Sequence, residues 1–219
     1  MSRTARLERP FFDRPTVRVA RELLGARLRV TRGSEVREVR LVETEAYVRR
    51  DGASHASRGP TARNRSMFGL PGTLYVFRIH QVVCANLVTR TGEAVLLRAG
   101  ALRSPGEESA SGPGRLTRVL GITIDDDGED ATVGRRFAVF PRTTPPHRIA
   151  VGPRVGVRRA VERPLRFWIA GEASVSPPRG SIASASPSRS RAAGRYPRSR
   201  RRSRPSSGGG RSGGRTGGK

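Results

Sequence analysis

Lysine is nearly missing from this chain. Of 43 Lys and Arg residues only Lys219 is a lysine. Guanidinium stays protonated at neutral pH, so no side chain before Lys219 can act as an amine nucleophile. Cysteine is just as scarce. Cys84 stands alone, which excludes an internal disulfide, and with three histidines it leaves little from which to build a zinc site, so no metal is expected. No apolar run approaches the ~18 residues of a membrane span, and the first residues lack the apolar centre of a signal peptide. A soluble, intracellular protein is expected. Acid is short too: 18 Asp and Glu against 43 basic residues give a net charge of +25. That excess points to a polyanionic partner, nucleic acid being the commonest, beyond the ordinary reading of a solvated basic surface.

The 219 residues suit one domain of ordinary size plus an extension. From Val175 onward there are eleven Arg and Lys219 but no acid, in a background of Ser, Gly and Pro. Such a stretch cannot bury enough apolar surface to offset its ordering entropy. It is expected to be a disordered tail over 175–219, either merely solvated or acting as an arm on phosphates. Residues 1–174 form the expected domain. Alternation predicts strands at 26–31, 36–45, 73–78, 83–89, 94–99, 154–158 and 165–170. Helices are predicted at 16–24, ended by Gly25, and at 114–120, ended by Gly121. Gly59-Pro60, Pro71-Gly72 and Thr91-Gly92 mark turns. Many short strands with few helices suggest a mixed α/β (α+β) domain, with a curved, mostly antiparallel sheet and helices around it.

The chemistry-bearing residues concentrate in 42–98. In order, the chain has Val-Glu-Thr-Glu-Ala-Tyr at 42–47, Asp-Gly-Ala-Ser-His at 51–55, Arg-Asn-Arg-Ser-Met-Phe-Gly at 63–69, Pro-Gly-Thr-Leu-Tyr-Val-Phe at 71–77, Cys-Ala-Asn at 84–86 and Val-Leu-Leu-Arg at 95–98. On a strand, Glu43, Glu45 and Tyr47 share one face and Val42, Thr44 and Ala46 the other. A carboxylate one step from an aromatic ring can place a base beside a stacked nucleobase, although this spacing alone more often marks a solvated strand face. A lone histidine such as His55 is more often structural, and Arg98 at a strand end is more often solvated.

Taken together and in this order, these segments closely resemble the alkyladenine (3-methyladenine) DNA glycosylase family, from about Pro10 to Ser176. The resemblance implies a monofunctional DNA glycosylase that flips alkylated purines out of double-stranded DNA and hydrolyses the N-glycosidic bond with an activated water. No cofactor or metal is implied, and the protein would act as a monomer on DNA inside the cell (cytoplasm or nucleoid if bacterial). In the family the second glutamate of the first motif is the general base, a role that falls on Glu45, and an arginine matching Arg98 helps hold the attacking water. Tyr47, His55 and Phe77 would form the slot for the extruded base. Asn86 would crowd the 2-amino group of normal guanine. Arg58, Arg63, Asn64 and Arg65, in a Gly/Pro-containing loop, read as contacts to backbone phosphates. The segments at 111–116, 152–157 and 164–171 also match, as scaffold and nearby DNA contacts.

The chain departs from that pattern in three places. Phe77 stands where the family commonly has tyrosine. The hairpin tip, Ile79-His80-Gln81-Val82-Val83, is one residue shorter than the family's and lacks its wedging tyrosine, which leaves His80, or Ile79, as the wedge on DNA. The segment 99–110 is about twenty residues short and carries Glu107 and Glu108. Two other classes of function therefore stand beside the glycosylase: a DNA-binding pseudoenzyme with the same pocket, and a basic nucleoprotein acting through its tail.

Overall fold

The computed structural model describes residues 5–102 and 109–177. Glu107, Glu108 and the tail from 178 onward lie outside the described residues. Within them, β1 (Arg27–Arg32), β2 (Glu35–Tyr47), β3 (Leu74–Ile79), β4 (Val82–Val88), β5 (Ala94–Ala101), β6 (Phe137–Phe140), β7 (Ile149–Gly152) and β8 (Arg166–Ile169) form one antiparallel sheet. The order is β3-β4-β5-β2-β1-β6, with β8 on β2 and β7 outside β8. The long β2 organises the curl: its first half pairs with β1, residues 43–45 pair with β8, and β5 runs along the other edge.

Two bulges sit at the centre of the β2–β5 ladder. Leu41 pairs with Gly100 and Glu43 with Ala99, so Val42 is an extra residue on β2; Thr44 then pairs with Leu97, so Arg98 is an extra residue on β5. A bulge re-aims the side chains beyond it. Val39 and Leu41 face the main core, and strict alternation would send Glu43 and Glu45 in after them. The bulge at Val42 sends Thr44 and Ala46 instead: Ala46 joins the core, and the Thr44 hydroxyl donates to the Ala20 carbonyl at 2.9 Å. Glu43, Glu45 and Tyr47 are thereby freed for the opposite face.

The main core is covered by two helices. In α2 (Thr16–Glu22), Val19 and Ala20 are buried, followed by Leu23 and Leu24; Gly25, at φ +88°, ends the run and its N–H donates to Leu41 at 2.8 Å. In α3 (Pro113–Leu120), Leu116 and Leu120 are buried, and left-handed Gly121 closes the helix. This helix crosses β5 at Gly100, where a Cβ would come within 2.8 Å of Val39 and 3.1 Å of Leu116. Only glycine lets helix and strand approach that closely. A four-residue α1 (Arg9–Phe12) buries Phe12 in the same core. On the other face of the sheet, Met67, Tyr75, Val88 and Ala94 form a smaller cluster with Tyr47, Phe68 and Phe77 packed against it.

The architecture is the expected curved antiparallel sheet with few helices. The strand expected at 154–158 is absent, and that stretch is loop. Pro153 has no N–H for a ladder, the Arg154 side chain is buried against Asp51, and the Val155 N–H is spent on Glu45. The four-residue β6 and β7, which give little alternation to detect, take up pairings that the sequence did not suggest. Packing also continues past residue 174, where the sequence placed the domain boundary, because Ser176 is buried among β-sheet side chains.

Candidate active site

The smaller face of the sheet opens into a cavity of about 790 Å³. Its walls come from β2 through Tyr47, from β3 and β4 through Phe77, Cys84 and Asn86, from β5 through Leu96 and Arg98, and from loops carrying His55, Val155 and Ser176. Tyr47, Phe77, Asn86, Arg98 and His55, widely separated in sequence, are thus brought together.

Glu45 lies at the base of this cavity with no exposed surface. It is not itself on the wall; three groups that touch its carboxylate are. The Val155 N–H donates to Oε1 at 2.8 Å, the Tyr47 hydroxyl donates to Oε2 at 3.0 Å, and Arg98 Nη1 stands 3.4 Å from Oε1. A carboxylate offers about four lone-pair directions, and these three donors occupy three of them. Burial pushes the Glu45 carboxyl above its ordinary value of 4.5; Arg98, the Val155 N–H and Tyr47 pull the other way, and neighbouring Glu43 adds to the rise. The result is a carboxylate whose proton affinity lies closer to neutrality than that of a solvated glutamate. Burial, reinforced by Glu45, also raises the Tyr47 phenol, which therefore stays a neutral donor.

Tyr47 is braced from behind. The Arg154 guanidinium lies 4.7 Å from the centre of its ring and donates to the Ala46 carbonyl at 3.1 Å. The side chains of Arg154 and Asp51 are both fully buried; their two-pronged ion pair includes an Nη2–Oδ1 bond of 3.0 Å, and the Ala53 N–H donates to Asp51 Oδ1 at 3.0 Å. Burial would raise Asp51, but Arg154 and the Ala53 N–H outweigh it and hold the carboxyl below its usual range. The motif at 51–55 therefore carries a structural anchor at one end and His55 at the other. Asp51 fixes Arg154, and Arg154 leads directly into the Val155 N–H on Glu45.

His55 Nδ1 lies 2.8 Å from the Tyr75 hydroxyl, and its ring meets Phe77 edge-on at 4.4 Å. Burial lowers the imidazole's affinity for a proton, so the ring is neutral at neutral pH. Asn86, 3% exposed, donates from Nδ2 to the Tyr75 carbonyl at 2.9 Å, so Tyr75 touches both predicted base-binding polar residues. Cys84 lines the cavity as a protonated thiol, since burial pushes its pKa up to about 11.

His80 sits at the tip of the β3–β4 hairpin, at φ +52°, and lines the cavity mouth with the exposed Ile79 and Val82. Arg58, Arg63 and Arg65 are exposed, and none lines the cavity. Asn64 does not suit the phosphate contact expected of it. It is 4% exposed; its amide donates to the His55 and Gly59 carbonyls at 2.9 and 3.1 Å, and its Oδ1 accepts from the Thr61 N–H and hydroxyl. It pins the loop that presents His55.

Sequence reasoning missed a second carboxylate. Glu43, fully buried, accepts from Arg98 Nε at 3.0 Å, Arg166 Nε at 2.6 Å, and the Ser176 N–H and hydroxyl at 2.7 and 2.9 Å. The placement of Glu43 on the same face as Glu45 and Tyr47 was the available signal. Nothing in the sequence paired it with Arg166 and Ser176, more than 120 residues away. Among the described residues, no group of three or more His, Cys, Asp or Glu is arranged to hold a metal ion, and no helix is long and apolar enough to cross a membrane.

Residues 10–173 match the family described as "Methylpurine-DNA glycosylase (MPG)". A protein of Methanoculleus marisnigri named "Putative 3-methyladenine DNA glycosylase" is 43% identical over 185 residues, covering 76% of this chain and 96% of that protein. Proteins of the same name from Rhizobium etli and Rhodopirellula baltica are 39% and 42% identical, covering 78% and 79% of this chain and 88% and 84% of theirs. The family match spans the whole sheet, both bulges, Glu45 and the cavity walls apart from Ser176 and Pro177, and the chain belongs to the methylpurine-DNA glycosylase family.

Proposed function

We propose that this protein is a monofunctional DNA glycosylase, which binds duplex DNA as a monomer inside the cell, turns an alkylated purine into the cavity and releases it by hydrolysis. The observation that carries the reading is Glu45: a buried carboxylate of raised proton affinity, framed by Tyr47, Arg98 and the Val155 N–H at the base of an aromatic-walled cavity. The glycosidic bond is shielded within a duplex, so extrusion must precede chemistry, at an unstacking cost of a few kcal/mol. In the cavity, water oxygen attacks the anomeric carbon as the carbon–nitrogen bond breaks. The bonding pair leaves with the purine, and the water's proton passes to Glu45. A purine made cationic by alkylation departs neutral, which relieves the site of supplying an acid. Products are the free base and an abasic site.

The slot suits a cationic purine. Tyr47 and Phe77 offer aromatic surface, and His55, being neutral, does not repel it. Phe77 keeps the stacking surface of the family's usual tyrosine without the hydroxyl. Asn86 stands where the family's amide crowds the guanine 2-amino group. His80 with Ile79 enters the gap left by the flipped nucleotide, and Arg58, Arg63 and Arg65 hold phosphates, joined by the basic tail. No lysine precedes Lys219 to form an imine with the opened sugar, so base release is expected without strand cleavage.

Two observations favour a second reading. Glu45 is covered by its own partners, and the hairpin wedge is short, as in a pocket that binds DNA without turning over. Incubating the purified protein with methylated duplex DNA and measuring free purine by chromatography separates the two. Release of 3-methyladenine supports the enzyme; binding with no release supports the pseudoenzyme.

A further inference from the structure

We propose that Glu43 and Ser176 are positioning residues for this reaction: together they clamp Arg98 so that its one remaining nitrogen is presented to Glu45 and the cavity. The inference rests on the reading of Glu45 as the base, and adds two residues to it. Arg98 is the extra residue of the bulge on β5, so its direction is not dictated by the ladder and must be set by side-chain contacts. Its Nε donates to Glu43 at 3.0 Å and to the Ser176 hydroxyl at 3.3 Å, and its Nη2 reaches the same hydroxyl at 3.0 Å. Nη1 is left facing Glu45 Oε1 at 3.4 Å. The Ser176 hydroxyl completes the geometry: it donates to Glu43 at 2.9 Å while accepting from Arg98.

Ser176 is itself held in place. Its N–H is spent on Glu43, its carbonyl accepts from Arg166 Nη2 at 2.8 Å, and the preceding Val175 carbonyl accepts from the Ser111 hydroxyl at 3.2 Å. The segment following β8 thus returns as a strap across the site, and Ser176 and Pro177 form part of the cavity wall.

A purely structural role explains this cluster poorly, because a buried ion network is weak evidence of stability and apolar packing often does as well. The charge arrangement has a consequence for the base. Glu45 faces Arg98 from β5, Glu43 and Tyr47 from β2, Cys84 from β4 and the Val155 N–H from the loop after β7; Arg166 from β8 faces Glu43. If Arg98 answered to Glu45 alone, it would favour the ionised form strongly and weaken the base. Shared with Glu43, it orients the carboxylate and leaves its proton affinity high.

The test uses the full-length protein and three variants, Glu43→Gln, Ser176→Ala and Ser176→Thr. Single-turnover purine release from methylated duplex DNA is measured against pH, and the Glu45 carboxyl is titrated by carbon-13 NMR. Glu43→Gln removes a like charge from beside Glu45 and frees Arg98 to it. The Glu45 titration and the acid limb of the rate profile should therefore both move down, by about one pH unit. Ser176→Ala should lower the rate about tenfold without weakening DNA binding, and Ser176→Thr, which restores the hydroxyl, should recover most of it. An unmoved titration in folded Glu43→Gln, or a wild-type rate in Ser176→Ala, would overturn the proposal. If Glu43→Gln does not fold, the two serine variants decide. A wild type that releases no purine refutes the glycosylase reading instead, and the NMR titration still reports whether Glu43 acts on Glu45.

Discussion

Glu45→Gln is the substitution on which the chemistry turns. Glutamine matches glutamate in size, so the Val155 N–H keeps an acceptor in the amide oxygen at the Oε1 position. The amide nitrogen that replaces Oε2 now meets the Tyr47 hydroxyl as a donor, which phenol can accommodate by accepting instead. What is lost, on the proposed mechanism, is the proton acceptor. General-base removal typically costs about 100- to 10,000-fold, and the upper part of that range applies here because, among the described residues, no Asp or Glu lines the cavity to stand in for Glu45, and Glu43 is committed to Arg98, Arg166 and Ser176. The change also leaves two buried arginines, Arg98 and Arg166, sharing one carboxylate. Breaking a buried pair costs about 3–5 kcal/mol; the surviving Glu43 contacts place the loss toward the lower end. Purine release under saturating enzyme, DNA affinity by fluorescence anisotropy and a thermal melt together separate these effects. The expected result is a folded protein with near-normal affinity and almost no release. A rate within a few-fold of wild type would show that Glu45 is not the base.

Asp51→Asn should leave Arg154 buried without its charge partner, costing about 3–5 kcal/mol in a thermal or denaturant melt. Because the Asp51 carboxyl is held low in the folded state, its contribution is present above the unfolded value and disappears as pH falls through the lowered one; wild type and variant should converge in acid, and a constant gap down to strongly acidic pH would contradict the assignment. Removing 178–219, which spares Ser176, should leave base release intact and lower the log–log salt slope of DNA binding by roughly 4 to 5 units if some five tail arginines meet phosphates, at about 0.9 per phosphate; an equal slope would put the tail off the DNA. Borohydride added during turnover should trap no protein–DNA adduct, and strand breaks should appear only after alkali or an added endonuclease; an adduct mapping to the N-terminus would overturn hydrolysis by water alone.

How far the sequence could be read depended on whether a contact was local. Strands β1 to β5 announce themselves by alternation, and the helix before Gly25 by its terminator. The residues that meet at the cavity were legible through motif order, not through any single spacing. Asn64 misled because a polar residue between two arginines in a loop looks like a phosphate contact, whereas its four hydrogen-bonding positions are satisfied within its own loop. Glu43, Arg166 and Ser176 were illegible for a different reason. Each is an ordinary polar residue next to apolar neighbours, and only the antiparallel pairing of β2 with β8, and the strap after it, makes them one cluster. Arg154 followed the same logic: its partner Asp51 lies 103 residues earlier.

The bulges explain why a single strand can serve both core and site. Strict alternation along β2 from Val39 would bury two carboxylates in an apolar core, at a cost that pairing could hardly repay. One inserted residue, Val42, moves Glu43 and Glu45 to the face that carries arginines, and the compensating insertion at Arg98 aims a guanidinium between them. Charge is then nearly balanced without any ion from outside: Glu43 and Glu45 against Arg98 and Arg166. That balance also constrains substitution. Removing one carboxylate leaves an excess of positive charge, which holds the other more firmly ionised; removing one arginine does the reverse. The two bulges and the four charges therefore belong to one arrangement, and a change that straightened the β2–β5 ladder would disable the site by turning Glu45 back toward Leu41 and Val39.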